Sequence, residues 1–266
     1  MGEGGRIPQA LTSPTGRVLA LTRRDRDTRF SGGALGYVWA YLIPFSWIAF
    51  VVALFELTGR TPPIHTDPAL FVATGLLPYI LFRQTISSMM RGAVAHRRLL
   101  QVRPVRLSDL LLASAAQELV NLAVSAVLVF GVILFLTGAG GPDDPVRVLE
   151  GLLLAWAMGV GLGRLFSVLG LMSDLIARAV PILLRPTFWI SGIFFTATEL
   201  PGTLRDLLWW SPLLHATERI RDGWFAGYAS PFDSMTMLIA PALLPWTLSF
   251  LAEAVMVRNR LARYAS

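Results

Sequence analysis

Apolar residues in this sequence are gathered into six long blocks rather than alternating with polar ones. A helix needs roughly 20 apolar residues to cross the hydrocarbon core of a bilayer, which is about 30 Å thick. The blocks approach or exceed that length and predict membrane spans at residues 36–58, 69–88, 110–137, 149–173, 178–198 and 234–257. Only 15% of the residues are charged, far fewer than in soluble domains. The sequence therefore predicts an all-α polytopic membrane protein with six transmembrane helices, and it excludes a soluble enzyme, a disulfide scaffold and a disordered chain.

Two residue types are absent, and each absence excludes a class of site. Without cysteine the chain can form neither a disulfide framework nor a thiolate metal site. All 23 basic residues are arginine, whereas a GxxxxGK[ST] nucleotide-binding loop needs a lysine to reach the phosphates. The three histidines, His65, His96 and His215, lack metal-ligand spacing. We therefore expect no metal ion or cofactor in this chain, and any ATP-driven work must use the ATPase of a partner.

The distribution of arginine predicts how the chain is oriented in the membrane. If the N-terminus is cytoplasmic, fifteen arginines fall in cytoplasmic segments and five in segments on the opposite side. Cytoplasmic segments of membrane proteins carry the excess of positive residues. Six spans return the chain to the side on which it begins, so both termini are predicted to be cytoplasmic.

Residues 1–35 form a hydrophilic, arginine-rich head before the membrane domain of residues 36–266. Ser13 and Pro14 are typical of a helix start, because serine caps the first turn and proline suits the first helical position. The apolar residues and arginines that follow favour an amphipathic helix lying on the cytoplasmic leaflet. A disordered basic tail is the alternative. The head lacks the early apolar core of a cleaved signal peptide, so we expect it to be retained.

The connection at residues 199–233 carries more apolar side chains than a solvated loop would. Ser211 and Pro212 interrupt it, which predicts one short helix on either side of the break. These helices are predicted to dip back into the outer face of the membrane as an external gate, where such backbone must be buried in protein or line a cavity. The predicted gate residues are Trp209, Trp210, His215, Glu218, Arg221 and Trp224.

Small residues recur every four positions in span four. They are Gly159, Gly163 and Ser167. Such a seam lets a neighbouring helix approach closely, so packing is the predicted role.

Three stretches, taken in order, resemble the permease subunits of ABC-2 type polysaccharide exporters, especially the capsular polysaccharide branch. The first, at the start of span one, comprises Arg26, Asp27, Thr28, Arg29, Phe30, Gly33, Leu35, Gly36, Tyr37, Trp39 and Pro44. The second, in span two and the loop after it, comprises Gly75, Leu76, Leu77, Pro78, Tyr79, Phe82, Arg83, Leu99, Leu100, Val102, Arg103 and Pro104. The third, from span five onwards, comprises Ser191, Gly192, Ile193, Phe194, Phe195, Leu200, Pro201, Ser211, Pro212, Leu213, Leu214, His215, Glu218, Arg221, Asp222, Gly223 and Tyr228.

The resemblance implies a homodimer of this chain bound to two copies of a separate ATPase, which would hold ATP and Mg²⁺. Such a machine exports a lipid-linked polysaccharide across the inner membrane of a Gram-negative bacterium. Family members also work with a periplasmic copolymerase-type protein and an outer-membrane export protein. An O-antigen or teichoic-acid exporter of the same superfamily is the alternative transporter. An intramembrane enzyme acting on lipid-linked sugar is the alternative of another class, but the scattered acidic residues do not suit it.

The basic loop after span two is predicted to contact the ATPase, because the resemblance makes it the coupling loop. Arginines are interleaved there with apolar residues, which favours a contact surface. The expected contact residues are Val94, Arg97, Arg98, Leu99 and Leu100. A solvated basic loop that only sets the topology is the alternative.

Aromatic residues in spans one and five are predicted to line the substrate channel, since their rings can stack on the flat C–H faces of sugars. Tyr37 and Tyr41 share one helix face because they are four residues apart. The predicted channel residues are Tyr37, Trp39, Tyr41, Phe188, Trp189, Phe194 and Phe195. The alternatives are the interfacial aromatic belt of membrane helices and, for the deeper rings, lipid-facing packing.

Three charged residues, Glu118, Arg164 and Arg185, lie deep within the predicted spans. At a rise of 1.5 Å per residue, Glu118 and Arg164 are about 14 and 15 Å deep on consecutive antiparallel helices. An isolated charge at that depth is costly, so the two are predicted to pair, with Asn121 adding a hydrogen bond to Glu118. Arg83 and Arg185 are rival partners for Glu118. In the alternative, Arg164 faces the channel and attracts an acidic substrate.

Overall fold

The computed structural model of the chain describes residues 34–64, 66–97 and 106–265, with side chains at 42, 44–64, 66–97 and 106–258. These ranges contain helices and turns but no strand, which confirms the all-α fold for the described part. The helices are α1 (Ala34–Thr58), α2 (Pro68–Ala95), α3 (Leu107–Thr137), α4 (Pro145–Met172), α5 (Asp174–Leu183), α6 (Thr187–Ile190), α7 (Gly202–Leu208), α8 (Pro212–Trp224) and α9 (Met235–Ala265). The predicted interface helix of the head lies outside the described residues.

Four helices are long and apolar enough to cross a membrane. They are α2, α3, α4 and the Met235–Arg258 part of α9. Within its described side chains, α1 adds a shorter apolar segment, Pro44–Thr58. The chain is therefore a polytopic membrane protein, and a total of six spans stays a prediction.

Two membrane helices begin with the same local chemistry, an aspartate cap followed by proline. The Oδ1 atom of Asp67 accepts hydrogen bonds from the backbone nitrogens of Ala69 (2.8 Å) and Leu70 (3.3 Å) at the start of α2. Asp144 caps α4 in the same way. Proline suits the position after the cap because its missing N–H would have no partner there. Both helices therefore start at an Asp-Pro pair that is visible in the sequence.

Helix α2 lies at the centre of the bundle and packs against α1, α3, α4 and α8. The small-residue seam of α4 faces it, as predicted. A Cβ atom added at Gly159 would lie 2.9 Å from Cβ of Thr85, and one at Gly163 would lie 3.2 Å from Cα of Ile86. On another side of α4, a Cβ atom at Gly161 would overlap the carbonyl oxygen of Ala242 in α9. Glycine is therefore required where α4 meets both neighbours.

The prediction of one continuous helix over residues 178–198 is wrong. The structure has α5, which ends at Leu183, and then α6, which is only four residues long. Pro186 lies between them, and proline cannot donate the backbone hydrogen bond that a continuous helix needs. The chain then leaves the helix at Gly192, whose φ of 82° lies in the left-handed region. Hydropathy alone could not reveal these two interruptions.

The connection after that region contains two short helices, α7 and α8, and they are separated at the predicted break before Pro212. Helix α8 packs against α2 and α4, so it belongs to the helical bundle. The ring of Trp224 stacks on Phe130 of α3 with centroids 4.1 Å apart. The two-helix prediction is confirmed, and the re-entrant position of the helices in a membrane stays a prediction.

Candidate functional site

A cleft of about 540 Å³ lies between α1, α2 and the segment around α6. We call it the aromatic cleft, and its walls combine aromatic, aliphatic and cationic side chains. They are Trp47, Phe50, Leu54, Leu76, Tyr79, Ile80, Arg83, Gln84, Arg185, Phe188, Trp189 and Phe194. A largely apolar cavity with a few convergent polar groups is the usual form of a ligand site.

Phe188 is the centre of the aromatic wall. The ring centroids of Trp47, Tyr79, Trp189 and Phe194 all lie between 5.2 and 5.5 Å from its own. Trp189 and Phe194 also stack on each other, with centroids 5.3 Å apart and planes 22° from parallel. These are favourable offset and edge-to-face geometries. Because the rings support one another, they form a fixed aromatic surface rather than independent side chains.

Two guanidinium groups, those of Arg83 and Arg185, share the aromatic cleft. Arg83 is close enough to interact with the Tyr79 hydroxyl, four residues earlier on the same face of α2. Neither arginine forms an ion pair with a described residue. The cleft therefore combines flat apolar rings with positive charge that no carboxylate of the described chain neutralises.

Part of the predicted channel set comes together in this cleft. It contains Phe188, Trp189 and Phe194. Arg185, which the sequence marked as a deep charge, also lines it. Sequence reasoning did not assign Tyr79 to the channel, although its spacing of four from Arg83 was a usable signal. Span two therefore forms one wall of the cleft, and the predicted set of channel residues contained no residue from that span.

The remaining predicted channel residues are placed differently. Phe195 packs instead with Leu214 and Phe232 near α7 and α8, and its carbonyl oxygen accepts a hydrogen bond from Arg221 at 2.7 Å. The other three lie in the backbone of α1, but their side chains are outside the described part of the chain. They are Tyr37, Trp39 and Tyr41.

The predicted coupling loop begins at the end of α2, where Arg97 is held in place. Its Nη2 atom donates to Oδ1 of Asp174 at 2.9 Å and to the carbonyl oxygen of Gly170 at 3.4 Å. Val94 packs at the same position, beside Gly170. The end of α2 is therefore fastened to the turn between α4 and α5. The other predicted contact residues, Arg98, Leu99 and Leu100, lie outside the described residues.

The polar gate residues predicted on α8 are buried, and two of them, Glu218 and Arg221, contact each other. His215, Glu218 and Arg221 are each fully buried. Arg221 donates from Nη1 to Oε1 of Glu218 at 3.4 Å, and its guanidinium lies 4.0 Å from the ring centroid of Phe71. The other carboxylate oxygen of Glu218 accepts hydrogen bonds from Tyr228 and from a serine hydroxyl. These side chains fix α8 within the bundle.

Burial also changes the acid–base behaviour of this region. Burial lowers the pKa of His215, and this effect outweighs the hydrogen bond that its Nε2 atom makes with the Trp209 carbonyl oxygen at 2.8 Å. Burial raises the pKa of Tyr228, and the neighbouring carboxylate of Glu218 raises it further. Burial therefore favours the neutral form of His215 and the protonated form of Tyr228. Of the predicted gate residues, Trp210 is clearly exposed, at 72%.

A second set of charges fastens α8 to its neighbours. Arg219 donates to Oε2 of Glu150 in α4 at 2.6 Å, and it also pairs with Asp233 just before α9. Arg147 of α4 pairs with Asp222 of α8. These ion pairs hold α4, α8 and the start of α9 together.

The predicted pair of Arg164 with Glu118 is wrong. Arg164 donates instead to Oε2 of Glu253 at 2.8 Å and to Oγ of Ser249 at 2.6 Å, both in α9. Helix α2 packs between α3 and α4 over much of their length, whereas α9 packs directly on α4. Equal depth on consecutive helices therefore did not bring the two charges together. The predicted hydrogen bond from Asn121 to Glu118 is present, at 3.4 Å.

Comparison with known proteins supports a transport role. A family model described as ABC-2 type transporter matches residues 16–225. The chain is 33% identical over 228 residues to the polysialic acid transport protein KpsM of Escherichia coli, covering 83% of this chain and 86% of that protein. It is 24% identical over 245 residues to the capsule polysaccharide export inner-membrane protein BexB of Haemophilus influenzae, covering 92% and 91% respectively. It is 22% identical over 215 residues to the capsule polysaccharide export inner-membrane protein CtrC of Neisseria meningitidis serogroup B, covering 81% of each chain.

Proposed function

Because this chain belongs to the ABC-2 type transporter family, we propose that it is the permease of an ATP-driven exporter that moves lipid-linked capsular polysaccharide across the inner membrane of a bacterium. The observation that carries this proposal is similarity along most of the chain to permeases named for capsule export. The chain is a transport subunit rather than an enzyme, since that is the role of the family.

The aromatic cleft is the part of the chain that we assign to the polymer. Its rings are large, flat and mutually supported, so they can bind the apolar faces of successive sugars without strong preference for one position. Trp47, Phe50 and Trp189 are 42%, 59% and 65% exposed in the single chain. A polymer lying on these rings needs a cover that separates it from the lipid. A second copy of this chain would supply that cover, which supports a homodimer with the channel between its subunits.

ATP hydrolysis is assigned to a separate subunit, which would hold ATP and Mg²⁺. The chain has no lysine for a phosphate-binding loop. The loop after α2 would contact that subunit through Arg97 and the residues that follow it. Arg97 is joined to Asp174 at the start of α5, and Arg185 of the cleft follows α5 directly. Displacement of the loop by the ATPase would therefore be transmitted to one wall of the cleft.

The proposed topology has six spans and both termini in the cytoplasm. The broken helix pair α5 and α6 would form the inner part of span five, and α7 and α8 would re-enter from the outer face. A broken segment is tolerated at membrane depth where it is buried in protein or lines a cavity. The α6 segment lines the aromatic cleft, which supports this arrangement. Periplasmic copolymerase-type and outer-membrane export proteins would receive the polymer.

Deletion of the gene in the source bacterium tests the proposed function. We expect surface polysaccharide to be lost and lipid-linked polysaccharide to accumulate inside the cell, with both restored by the wild-type gene. Affinity purification of the restored protein should recover an ATPase that contains a phosphate-binding loop. Unchanged surface polysaccharide after deletion, with no internal accumulation, would contradict the proposal. The chemical class of the accumulated polymer would separate a capsule exporter from an O-antigen or teichoic-acid exporter.

A further inference from the structure

A second cleft, of about 580 Å³, lies between α3, α4 and α9, and we call it the α3–α9 cleft. Among the described residues, none lines both this cleft and the aromatic cleft. Leu112 of α3 and Phe250 of α9 are exposed at its rim, so the cleft is open at the surface of the single chain. All three helices are long and apolar enough to cross a membrane, which places the cleft at membrane depth.

These three helices each have one end on the same side of the membrane. Helices α3 and α4 are joined by a short turn, and α9 begins beside the start of α4, because Arg219 pairs with both Glu150 and Asp233. The start of α3 therefore lies on the same side as the ends of α4 and α9. In the proposed orientation this is the cytoplasmic side.

The lining of the cleft changes from polar to apolar in the same direction on every one of these helices. The lining residues nearest the cytoplasmic side are polar, and they are Ser108, Arg164 and Glu253. The deepest lining residues of the same helices are apolar, and they are Ala115, Val160 and Trp246. On α3 and on α9 the two types are seven residues apart, about 10 Å along the helix. The cleft thus has a polar end and an apolar interior, as a single lipid molecule of the cytoplasmic leaflet has.

The depth of Arg164 suits a lipid headgroup. Helix α4 has 28 residues and is about 42 Å long, so it extends about 6 Å beyond each face of a hydrocarbon core about 30 Å thick. Arg164 is eight residues before the end of α4, about 12 Å along the helix. It therefore lies only about 6 Å below the headgroup level, a depth from which long basic side chains reach the surface.

The polar end of the cleft presents one positive and one negative group side by side. Arg164 donates from Nη2 to Oε2 of Glu253 at 2.8 Å and from Nε to Oγ of Ser249 at 2.6 Å. Its Nη1 atom and the Oε1 atom of Glu253 have no hydrogen-bond partner among the described residues, and both atoms stay accessible. One donor and one acceptor are therefore available at the same place.

We propose that the α3–α9 cleft binds one phospholipid with a primary-amine headgroup, whose phosphate contacts Arg164 and whose ammonium contacts Glu253. An acyl chain of this lipid lies in the apolar interior, against Leu112 and Trp246. The lipid joins α3 to α9 and is a resident ligand rather than cargo. The inference depends on the membrane position of these helices and not on the substrate that the chain exports.

The charges of the cleft select this headgroup over two others. A headgroup that carries only a phosphate would place its negative charge beside the carboxylate of Glu253, and like charges at close range repel. A quaternary ammonium has no N–H to donate to that carboxylate. It would need an aromatic face instead, but the guanidinium of Arg164 already lies 5.0 Å from the ring centroid of Trp246 and 4.2 Å from that of Phe250.

Native mass spectrometry of the purified full chain tests the inference. The protein is titrated separately with dioleoyl phosphatidylethanolamine, phosphatidylglycerol and phosphatidylcholine, and binding of the first lipid molecule is measured. We expect the dissociation constant for phosphatidylethanolamine to be about tenfold lower than for the other two, the order that one charge-assisted hydrogen bond contributes. Glycerophosphoethanolamine, which has the same headgroup and no acyl chains, should bind far more weakly.

Two variants assign the binding to this cleft. Leu112→Trp fills the cleft without touching the ion pair, and it should abolish the tight binding of phosphatidylethanolamine. Leu136→Trp is its matched control, because Leu136 is an exposed leucine of the same helix that does not line the cleft. Glu253→Gln removes the negative charge and keeps the shape of the side chain, so it should make the affinities for phosphatidylethanolamine and phosphatidylglycerol equal.

Four results would overturn the inference. Equal affinity of the wild-type protein for the three lipids would show that no headgroup is recognised. Tighter binding of phosphatidylglycerol would show an anionic lipid in the cleft. Equal affinity for glycerophosphoethanolamine would identify a soluble phosphate compound as the ligand. Unchanged phosphatidylethanolamine binding by Leu112→Trp would place the lipid elsewhere. Each of these results leaves the proposed export function intact, because that function is tested by gene deletion.

Discussion

Two regions of this protein use the same residue types in opposite ways. Around α8, arginine and aromatic side chains are buried and paired, as in the contact of Arg221 with Glu218 and Phe71. In the aromatic cleft, Arg83 and Arg185 face a cavity, and several rings are exposed. The difference separates structural from functional use of a charge. A buried arginine with a carboxylate stabilises the fold, whereas Arg83 and Arg185 pair with no carboxylate of the described residues and line a cavity instead.

The largest expected effect is in the paired region. Glu218→Gln leaves the guanidinium of Arg221 buried without a carboxylate, and breaking a buried pair costs about 3–5 kcal/mol. We expect little folded protein when the detergent extract is analysed by size-exclusion chromatography. Glu199→Gln is the control, because Glu199 is partly exposed and its pair with Arg60 is long, at 3.7 Å. Equal yields from the two variants would mean that the α8 network is not structural.

Tight packing around α4 gives the next effect. Gly161→Ala would place a methyl group against the carbonyl oxygen of Ala242, and such overpacking costs about 1–3 kcal/mol. The melting temperature of the purified protein should fall. Gly131→Ala in α3 is the control, because a Cβ atom there meets nothing within 4 Å. If both alanines leave the melting temperature unchanged, α4 and α9 are not in tight contact.

A double-mutant cycle measures the ion pair of Arg164 with Glu253, which the structure shows in place of the predicted pair of Arg164 with Glu118. Arg164→Ala and Glu253→Ala should each lower the melting temperature, and the double variant should recover part of the loss, with a coupling of about 0.5–3 kcal/mol. Arg164→Ala combined with Glu118→Ala should show additive losses. Coupling of Arg164 to Glu118 instead of Glu253 would restore the original prediction.

Truncation in the aromatic cleft should affect folding only modestly. Trp189 is 65% exposed but contacts the rings of Phe188 and Phe194, so Trp189→Ala should lower stability by about 0.5–1.5 kcal/mol. Surface polysaccharide should nevertheless fall, because Trp189 forms part of the aromatic wall. Phe135→Ala, which removes an exposed ring of α3 outside the cleft, should change neither measurement. Normal export by the Trp189→Ala variant would mean that the aromatic cleft does not act in transport.

The smallest effect on stability is expected at the end of α2. Arg97 and Asp174 are partly exposed, and such pairs contribute about 0–1 kcal/mol. Asp174→Asn should therefore fold normally, but it should weaken transmission from the ATPase and lower export per ATP hydrolysed. Asp143→Asn changes an exposed acid far from this contact and serves as the control. An unchanged ratio of export to hydrolysis would dismiss the proposed transmission.

Local chemistry made part of this structure predictable from sequence. The turn residues before α2 and α4, the break at Ser211–Pro212 and the glycine seam of α4 all depend on neighbours in the chain. The gathering of Phe188, Trp189 and Phe194 was also predictable, because they are close in sequence and their residue type suits sugars. Hydropathy, by contrast, ignores backbone hydrogen bonding, so it missed the interruption at Pro186.

Other features depend on which helices are neighbours, and sequence spacing does not reveal that. Arg164 and Glu118 matched in depth, but the partner of Arg164 came from α9, 89 residues away. The burial of His215 and Glu218 likewise follows from the packing of α8 on α2 and α4. Tyr79 entered the cleft because α2 faces α6 across it. Each of these contacts depends on how the helices pack in three dimensions.

Arg83 lies near the middle of α2 and has no carboxylate partner among the described residues, which has an electrical consequence. Moving one elementary charge across a membrane changes its energy by about 2.3 kcal/mol for every 100 mV. In the proposed orientation, an acidic repeat unit travels outward from a negative interior, so the voltage favours its passage. The hydrocarbon core would still oppose a bare anion most strongly at its centre, and fixed positive charge there lowers that barrier. An energised membrane would thus assist the export of an acidic polymer and leave a neutral one unaffected.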